Sequence, residues 1–235
     1  MQEGAVGDDR QKAMLIMTRG HFTLQTARAA TNAEISTRLQ LYLTTLSSTI
    51  IALALSAQLP EFGADFRAFA LVLLPVVYFL GIVTLGRLNQ LELEWRIYGQ
   101  GMNRIRHYYL EVAPETERYF VLPSTDDPWA SLEAIGIRAR SWGVGLFTAR
   151  AMVAVVNSVV AGTFAGLLAS LGRPREVLFP ALCAATAFVL SGTAIGMAEH
   201  RRHRRDMGAT PVEFPSEGDP TPSADEDDGG RGLET

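Results

Sequence analysis

Few residues in this chain have a type and spacing suited to chemistry. His107 and Glu111 stand one helical turn apart. At that spacing an imidazole and a carboxylate can act as an acid–base pair or form a plain surface ion pair. Asp126-Asp127 sets two carboxylates side by side, which suits a divalent cation or a solvated loop. His200 and His203 have a metal-compatible spacing, but Arg201 and Arg202 between them repel a cation, and no carboxylate cluster supports them. Cys183 is the single cysteine and lies inside a long apolar stretch, so neither a disulfide nor a thiolate metal centre can form. Arg104 and Arg106 beside Tyr108-Tyr109 are residue types that hold a phosphate or nucleotide. No glycine-rich phosphate loop accompanies them. The expectation is therefore no catalytic residue, no metal and no cofactor.

The elements that would position these residues come from the distribution of charge. The chain has 235 residues, 48% of them hydrophobic, and a formal charge of −4. Its mean hydropathy is only +0.12. Such averages suit a soluble protein. Yet four stretches carry no Asp, Glu, Lys or Arg: residues 39–60, 68–86, 151–172 and 177–198. A bilayer core about 30 Å thick needs roughly 20 helical residues. All four fit, which excludes an ordinary soluble enzyme as the default. Helices are expected, because open strands leave backbone groups unsatisfied in lipid. The first window is the most polar, with Thr44, Thr45, Ser47, Ser48 and Thr49. These hydroxyls can bond carbonyls one turn back. It starts too far along the chain for a short cleaved basic leader.

Lys and Arg are retained on the cytoplasmic side of short loops. There are 5 in residues 1–38, 8 in 87–150 and 5 in 199–235, against 1 in 60–67 and 2 in 173–176. Both termini and the long middle loop are expected in the cytoplasm, with the protein multi-pass in the cytoplasmic (plasma) membrane. Arg201, Arg202, Arg204 and Arg205 follow the fourth window. They form a topology anchor that is also suited to contact with anionic lipid.

The segments read as follows. Residues 1–19 form a loose N-terminus, and 20–60 a cytoplasmic helix running into transmembrane helix one. Residues 67–113 form helix two with a cytoplasmic extension, and 114–145 a cytoplasmic loop. Helix three covers 146–172 and helix four 177–200. Residues 201–235 are a basic anchor and a disordered acidic tail, with nine acids and four prolines between 206 and 235. The loop after Pro114 looks irregular, then returns as a short helix from about Ser131 to Arg150.

After the second window the apolar residues step by three and four: Leu88, Leu91, Trp95, Tyr98, Met102, Ile105, Tyr109 and Val112. Arg87, Glu92, Glu94, Arg96, Arg104, Arg106 and Glu111 lie off this seam. A heptad seam must pack on something. The candidates are segment 20–38, Ala-rich at Ala27, Ala29, Ala30 and Ala33, or the same seam of another subunit. The register runs back through Gly81 and Thr84. Gly99 and Gly101 mark a bend or a close contact.

Inside the windows, Gly162 and Gly166 are four apart, as are Gly192 and Gly196. Small residues at this spacing let helices approach closely in lipid, so helices three and four are expected to pack by these faces. Pro75 should bend helix two, and Pro180 falls in the first turn of helix four. No Asp, Glu or His lies within a window, which argues against a proton-driven transporter. Asn157 is the strongly polar residue in mid-span and reads as glue between helices. Thr44 with Ser48, and Thr45 with Thr49, put hydroxyls on one side of helix one, for packing or for lining a narrow oligomeric pore.

Two stretches carry a resemblance: His21-Phe-Thr-Leu-Gln-Thr-Ala-Arg-Ala-Ala-Thr31 and Gly101-Met-Asn-Arg-Ile-Arg-His-Tyr-Tyr-Leu-Glu-Val-Ala-Pro-Glu115. Together they resemble a group of uncharacterised actinobacterial integral membrane proteins with four transmembrane helices. The single Lys against twenty Arg fits a high-GC genome of that kind. The resemblance covers most of residues 20–200 and implies no activity. More loosely, the architecture is similar to small membrane effectors of bacterial nucleotide-signalled immunity. That likeness matches no effector motif and transfers no residue roles.

The expected fold class is an all-α membrane protein with four transmembrane helices, helix two extended into the cytoplasm as a long amphipathic helix. The expected function is non-enzymatic: a homo-oligomer coupling a cytoplasmic signal or partner, such as a protein or nucleotide signal, to the lipid bilayer, with no nucleic acid involved. A pore or membrane effector is one form of this. The alternative is a small channel or transporter with a constitutive role.

Overall fold

The computed structural model describes residues 2–58, 63–127, 148–172, 177–207 and 211–216. Helix α1 runs Gln2–Ala57 and α2 Gly63–Val112. A 3-10 turn follows at Pro114–Tyr119, then α3 at Ala149–Gly172 and α4 at Leu178–Met207. The fold is all-helical, with no strand among the described residues. Each of the four helices has a stretch long and apolar enough to cross a membrane. At 1.5 Å per residue α1 is about 84 Å long and α2 about 75 Å, against about 30 Å for a bilayer core. Both therefore run far past their apolar stretches. The molecule has an apolar half, built from all four helices, and a polar half, built from the start of α1 and the end of α2.

Local chemistry explains the helices. From His21 to Ala57, α1 meets neither glycine nor proline. Its many hydroxyls turn inward on the backbone: Thr31 donates to the Ala27 carbonyl, Thr45 to Leu41, Ser48 to Thr44 and Thr49 to Thr45. That removes their need for water. α2 runs through Pro75 and stops at Val112. Ala113, placed before Pro114, takes an extended φ of −142°, as the proline ring demands of its predecessor.

Two helix bounds differ from expectation. α1 starts at Gln2, whereas residues 1–19 were expected to be loose. Acidic residues at its start suit the helix dipole, and Lys12 pairs with Asp8 at 2.6 Å one turn away. α4 continues past residue 200 to Met207. Its last turns are the basic run, and cations favour a helix C-terminus. The short helix expected over Ser131–Arg150 lies mostly outside the described residues, as do residues 217–235.

The helices pack in chain order: α1 on α2, α2 on α3, and α3 on α4. One core cluster joins Tyr42 of α1, Leu85 and Leu88 of α2 and Val153 of α3. A second, further along, joins Ala70, Leu74 and Val77 of α2 to Val160 of α3, with Leu46 and Leu53 of α1 against it. Tyr78 lies within hydrogen-bond reach of Ser191 on α4, at 3.3 Å. A row of this kind leaves the outer faces of α1 and α4 uncovered. Leu41, Ile50 and Leu55 on α1, and Leu178, Leu182 and Leu190 on α4, are all well exposed.

The small residues sit where α3 meets α4. A methyl group at Gly162 would lie 2.8 Å from the Ala184 carbonyl oxygen, and one at Gly166 would lie 3.0 Å from the Ala184 Cβ. Gly192 faces the Ser158 hydroxyl, while Gly196 has open space around it. Three of the four glycines expected at this contact are in it.

Candidate functional site

At the junction of the two halves lies a belt of ion pairs. Arg87 of α2 grips Glu34 of α1 with both arms, Nε to Oε1 at 3.0 Å and Nη2 to Oε2 at 3.2 Å. This bidentate bond holds the Glu34 carboxyl below its ordinary range and raises Arg87. Arg150, at the start of α3, reaches Glu92 at 3.0 Å and the Asn89 amide oxygen at 3.1 Å. α2 is thus tied to both neighbours where the apolar windows end.

Beyond the belt the seam of α2 lies against α1. Leu88, Leu91 and Met102 are buried. Trp95 carries the Arg28 guanidinium 3.8 Å over its ring. Gly101 leaves room for Leu24, and Gly20 of α1 does the same for Ile105. The Tyr109 hydroxyl donates to Thr18 at 3.4 Å. Tyr98 and Val112 are half-buried. Of the alanines expected to allow this approach, Ala27 is half-buried, while Ala29, Ala30 and Ala33 are exposed. The last three fall on the far side of α1, and Gly20 and Gly101 make the close approach. Burial lowers the ordinarily high pKa of Arg28 and of Arg106, and Arg28 lowers Arg106 further. His21 is pushed down by burial first and by Arg106 second.

The opposite face of α2 carries Gln100, Asn103, Arg104 and His107, spaced by three, one and three. These residues hold two extended segments. After the 3-10 turn the chain runs back along α2. The Asn103 amide donates to the Thr125 carbonyl at 2.8 Å and Gln100 to that of Asp126 at 3.1 Å. Arg106 donates to the Pro123 carbonyl and, at 2.9 Å, to Asn103. It is buried here, although it lies off the apolar seam.

The second segment is residues 211–216, which return from the end of α4 and converge on Asp126. That carboxylate is fully buried. It accepts the backbone N–H of Glu213 at 3.1 Å and of Phe214 at 2.8 Å, and the Arg104 Nε at 2.7 Å. The Asp126 N–H donates in turn to the Phe214 carbonyl at 3.0 Å. Arg104 also reaches the Pro211 carbonyl and, at 3.3 Å, the Glu213 carboxylate. The Phe214 ring stacks on His107 with centroids 3.9 Å apart and planes at 23°.

This hub corrects two expectations. Asp126-Asp127 does not stand in a solvated loop: both residues are buried, and the Asp126 oxygens are taken by Arg104 and two amides. Residues 211–216 do not belong to a disordered tail, because Val212 and Phe214 form an apolar island between Pro211 and Pro215. His107 approaches Glu111 at 3.6 Å, but the imidazole face is covered by Phe214. Among the described residues no three His, Cys, Asp or Glu come together in a group that could hold a metal.

In the apolar half Asn157 is completely buried against Gly81, and neither its amide oxygen nor its nitrogen has a hydrogen-bond partner. A methyl group at Gly81 would collide with that amide, 2.1 Å from Oδ1. The sequence marked both residues without joining them. Of the basic run, Arg201 is exposed on α4, and Arg202, Arg204 and Arg205 follow it along the same helix.

No protein-family model matches the chain, and no curated protein or solved structure matches it either.

Proposed function

We propose that this chain is a multi-pass integral protein of the bacterial cytoplasmic membrane, with both termini in the cytoplasm. It has no enzymatic activity. It forms a homo-oligomer and couples a cytoplasmic signal or partner to the bilayer, in one form as a pore or membrane effector. The observation that carries this reading is continuity. α1 and α2 pass unbroken from the apolar half into the polar half, and Arg87–Glu34 and Arg150–Glu92 tie α1, α2 and α3 at the crossing. A displacement of the polar tip is therefore delivered to the spans rather than absorbed in a hinge. The positive-inside distribution of Lys and Arg supports the orientation.

The oligomer reading is supported by α1. Gln40, Thr44, Ser47 and Ser48, with Leu43 and Ile51 among them, share one exposed face of its apolar stretch. Polar groups facing lipid gain from a protein partner. The same hydroxyl face favours a conducting form, and a constitutive channel is the second reading.

The test is the full chain reconstituted in liposomes of bacterial lipid, with its mass measured in detergent. The reading expects a mass above one copy, lowered by Thr44→Trp with Ser48→Trp. It also expects ion or dye release above that of empty liposomes when the tip is perturbed. A single-copy mass together with no release contradicts it.

A further inference from the structure

We infer that Arg104, His107 and Asp126 form a peptide-docking site, that residues 211–216 are its tethered occupant, and that a partner presenting an extended acidic–aromatic peptide displaces them. The inference rests on reading the polar half as the receiving end of the protein.

The contacts define what the site recognises. Asp126 takes two successive backbone N–H groups, and its own N–H takes a backbone carbonyl. Arg104 takes a further carbonyl and the Glu213 carboxylate. His107 takes an aromatic ring. These are the marks of an extended segment with an acid followed by an aromatic residue. The main-chain bonds are available to any peptide without proline at those two positions, while the acid and the ring supply selectivity.

With the tail removed, Asp126 would keep Arg104 and lose two backbone donors. A peptide replaces them with two adjacent N–H groups, which a small anion lacks. The occupying segment is short and offers one aromatic anchor. It is joined to α4 through residues 208–210 only, so its occupancy gains from a high effective concentration rather than from a large contact. A free or partner-borne peptide can therefore compete. Because residues 211–216 follow α4 in the chain and rest on α2 here, displacement unties the end of the fourth helix from the tip of the second.

The test uses the full chain in detergent or nanodiscs and a fluorescent peptide carrying residues 208–218, with a scrambled peptide as control. In wild type the Glu213 and Phe214 amides should exchange slowly with deuterium, and excess peptide should speed their exchange. The chain with Glu213→Lys and Phe214→Ala vacates its own site and should bind the peptide about tenfold more tightly than wild type. Adding Asp126→Asn to that chain should remove most of this binding, because an amide donor then faces Arg104 and the incoming N–H groups. His107→Ala leaves the charged groups in place and should weaken the peptide several-fold even if Asp126→Asn impairs folding. Equal binding of native and scrambled peptides overturns the inference. So does equal binding by wild type and the vacated chain, or an unprotected tail in wild type. Peptide binding is scored without any liposome or mass measurement, so its failure leaves the membrane-coupling reading to its own test.

Discussion

The two halves of the molecule hold themselves together by different means. The apolar half relies on close approach: glycines against backbone at α3 and α4, aliphatic side chains between α1, α2 and α3, and few polar bonds. The polar half relies on charges made safe by partners, with Asp126 buried under Arg104 and two amides and Arg28 laid on Trp95. Errors of size should damage the first half, and errors of charge the second. The belt at Glu34, Arg87, Glu92 and Arg150 is where one regime gives way to the other.

The largest effect is expected from Arg104→Ala. It leaves the buried Asp126 carboxylate without its cation, and breaking such a pair costs about 3 to 5 kcal/mol. The loss should appear as lower thermal stability of the polar half and rapid amide exchange at residues 211–216, with α3 and α4 unchanged. Uniform loss through both halves would erase the distinction.

Next comes Gly162→Ala, whose methyl meets the Ala184 carbonyl. Overpacking of this kind costs about 1 to 3 kcal/mol. Gly196→Ala, four residues beyond Gly192 and in open space, should not destabilise, and helix propensity favours it by up to about 1 kcal/mol. A melt in detergent compares the two, and equal effects would show that the α3–α4 contact is not where the small residues place it. Gly81→Ala belongs to the same class, and Asn157→Ala beside it should restore part of the loss by vacating the space.

A smaller effect follows from pH. Burial and Arg106 hold the His21 pKa below its ordinary value of 6.5. The unfolded chain therefore binds a proton that the folded chain refuses. Stability is full above the ordinary histidine value and declines as pH falls through it toward the lower folded one. His21→Gln should flatten that slope in the polar half. A slope unchanged by the substitution would assign the pH dependence to other groups.

The smallest effect is expected from Glu34→Gln. The pair with Arg87 is half exposed, and salt screens such a bond. The change should loosen the junction in amide exchange without lowering the melting temperature measurably.

Much of the apolar half was legible in the sequence because lipid-scale windows are local. Residues 39–60, 68–86, 151–172 and 177–198 announce themselves by the absence of charge, and Gly162 and Gly166 by spacing. The seam from Leu88 to Val112 was legible for the same reason, since its periodicity is carried by one continuous segment. The hub at Asp126 was not. It joins residues 104, 126 and 213, and no local pattern connects them. Two traces of it were present: the polar stripe Gln100, Asn103, Arg104 and His107 opposite the seam, and Val212 and Phe214 set between prolines in an acidic tail. Neither carries a partner's address. The pairing of Gly81 with Asn157 was hidden likewise, because it depends on the register of α2 against α3.

The most direct test of the account is cysteine labelling in intact bacteria with a membrane-impermeant maleimide. It uses the full chain with Cys183→Ser as background. Val177→Cys stands at the start of α4, and Glu115→Cys in the 3-10 turn beyond the end of α2. The account predicts that Val177→Cys is labelled in intact cells and that Glu115→Cys is labelled only after lysis. Labelling of Glu115→Cys in intact cells, with Val177→Cys protected, would contradict it.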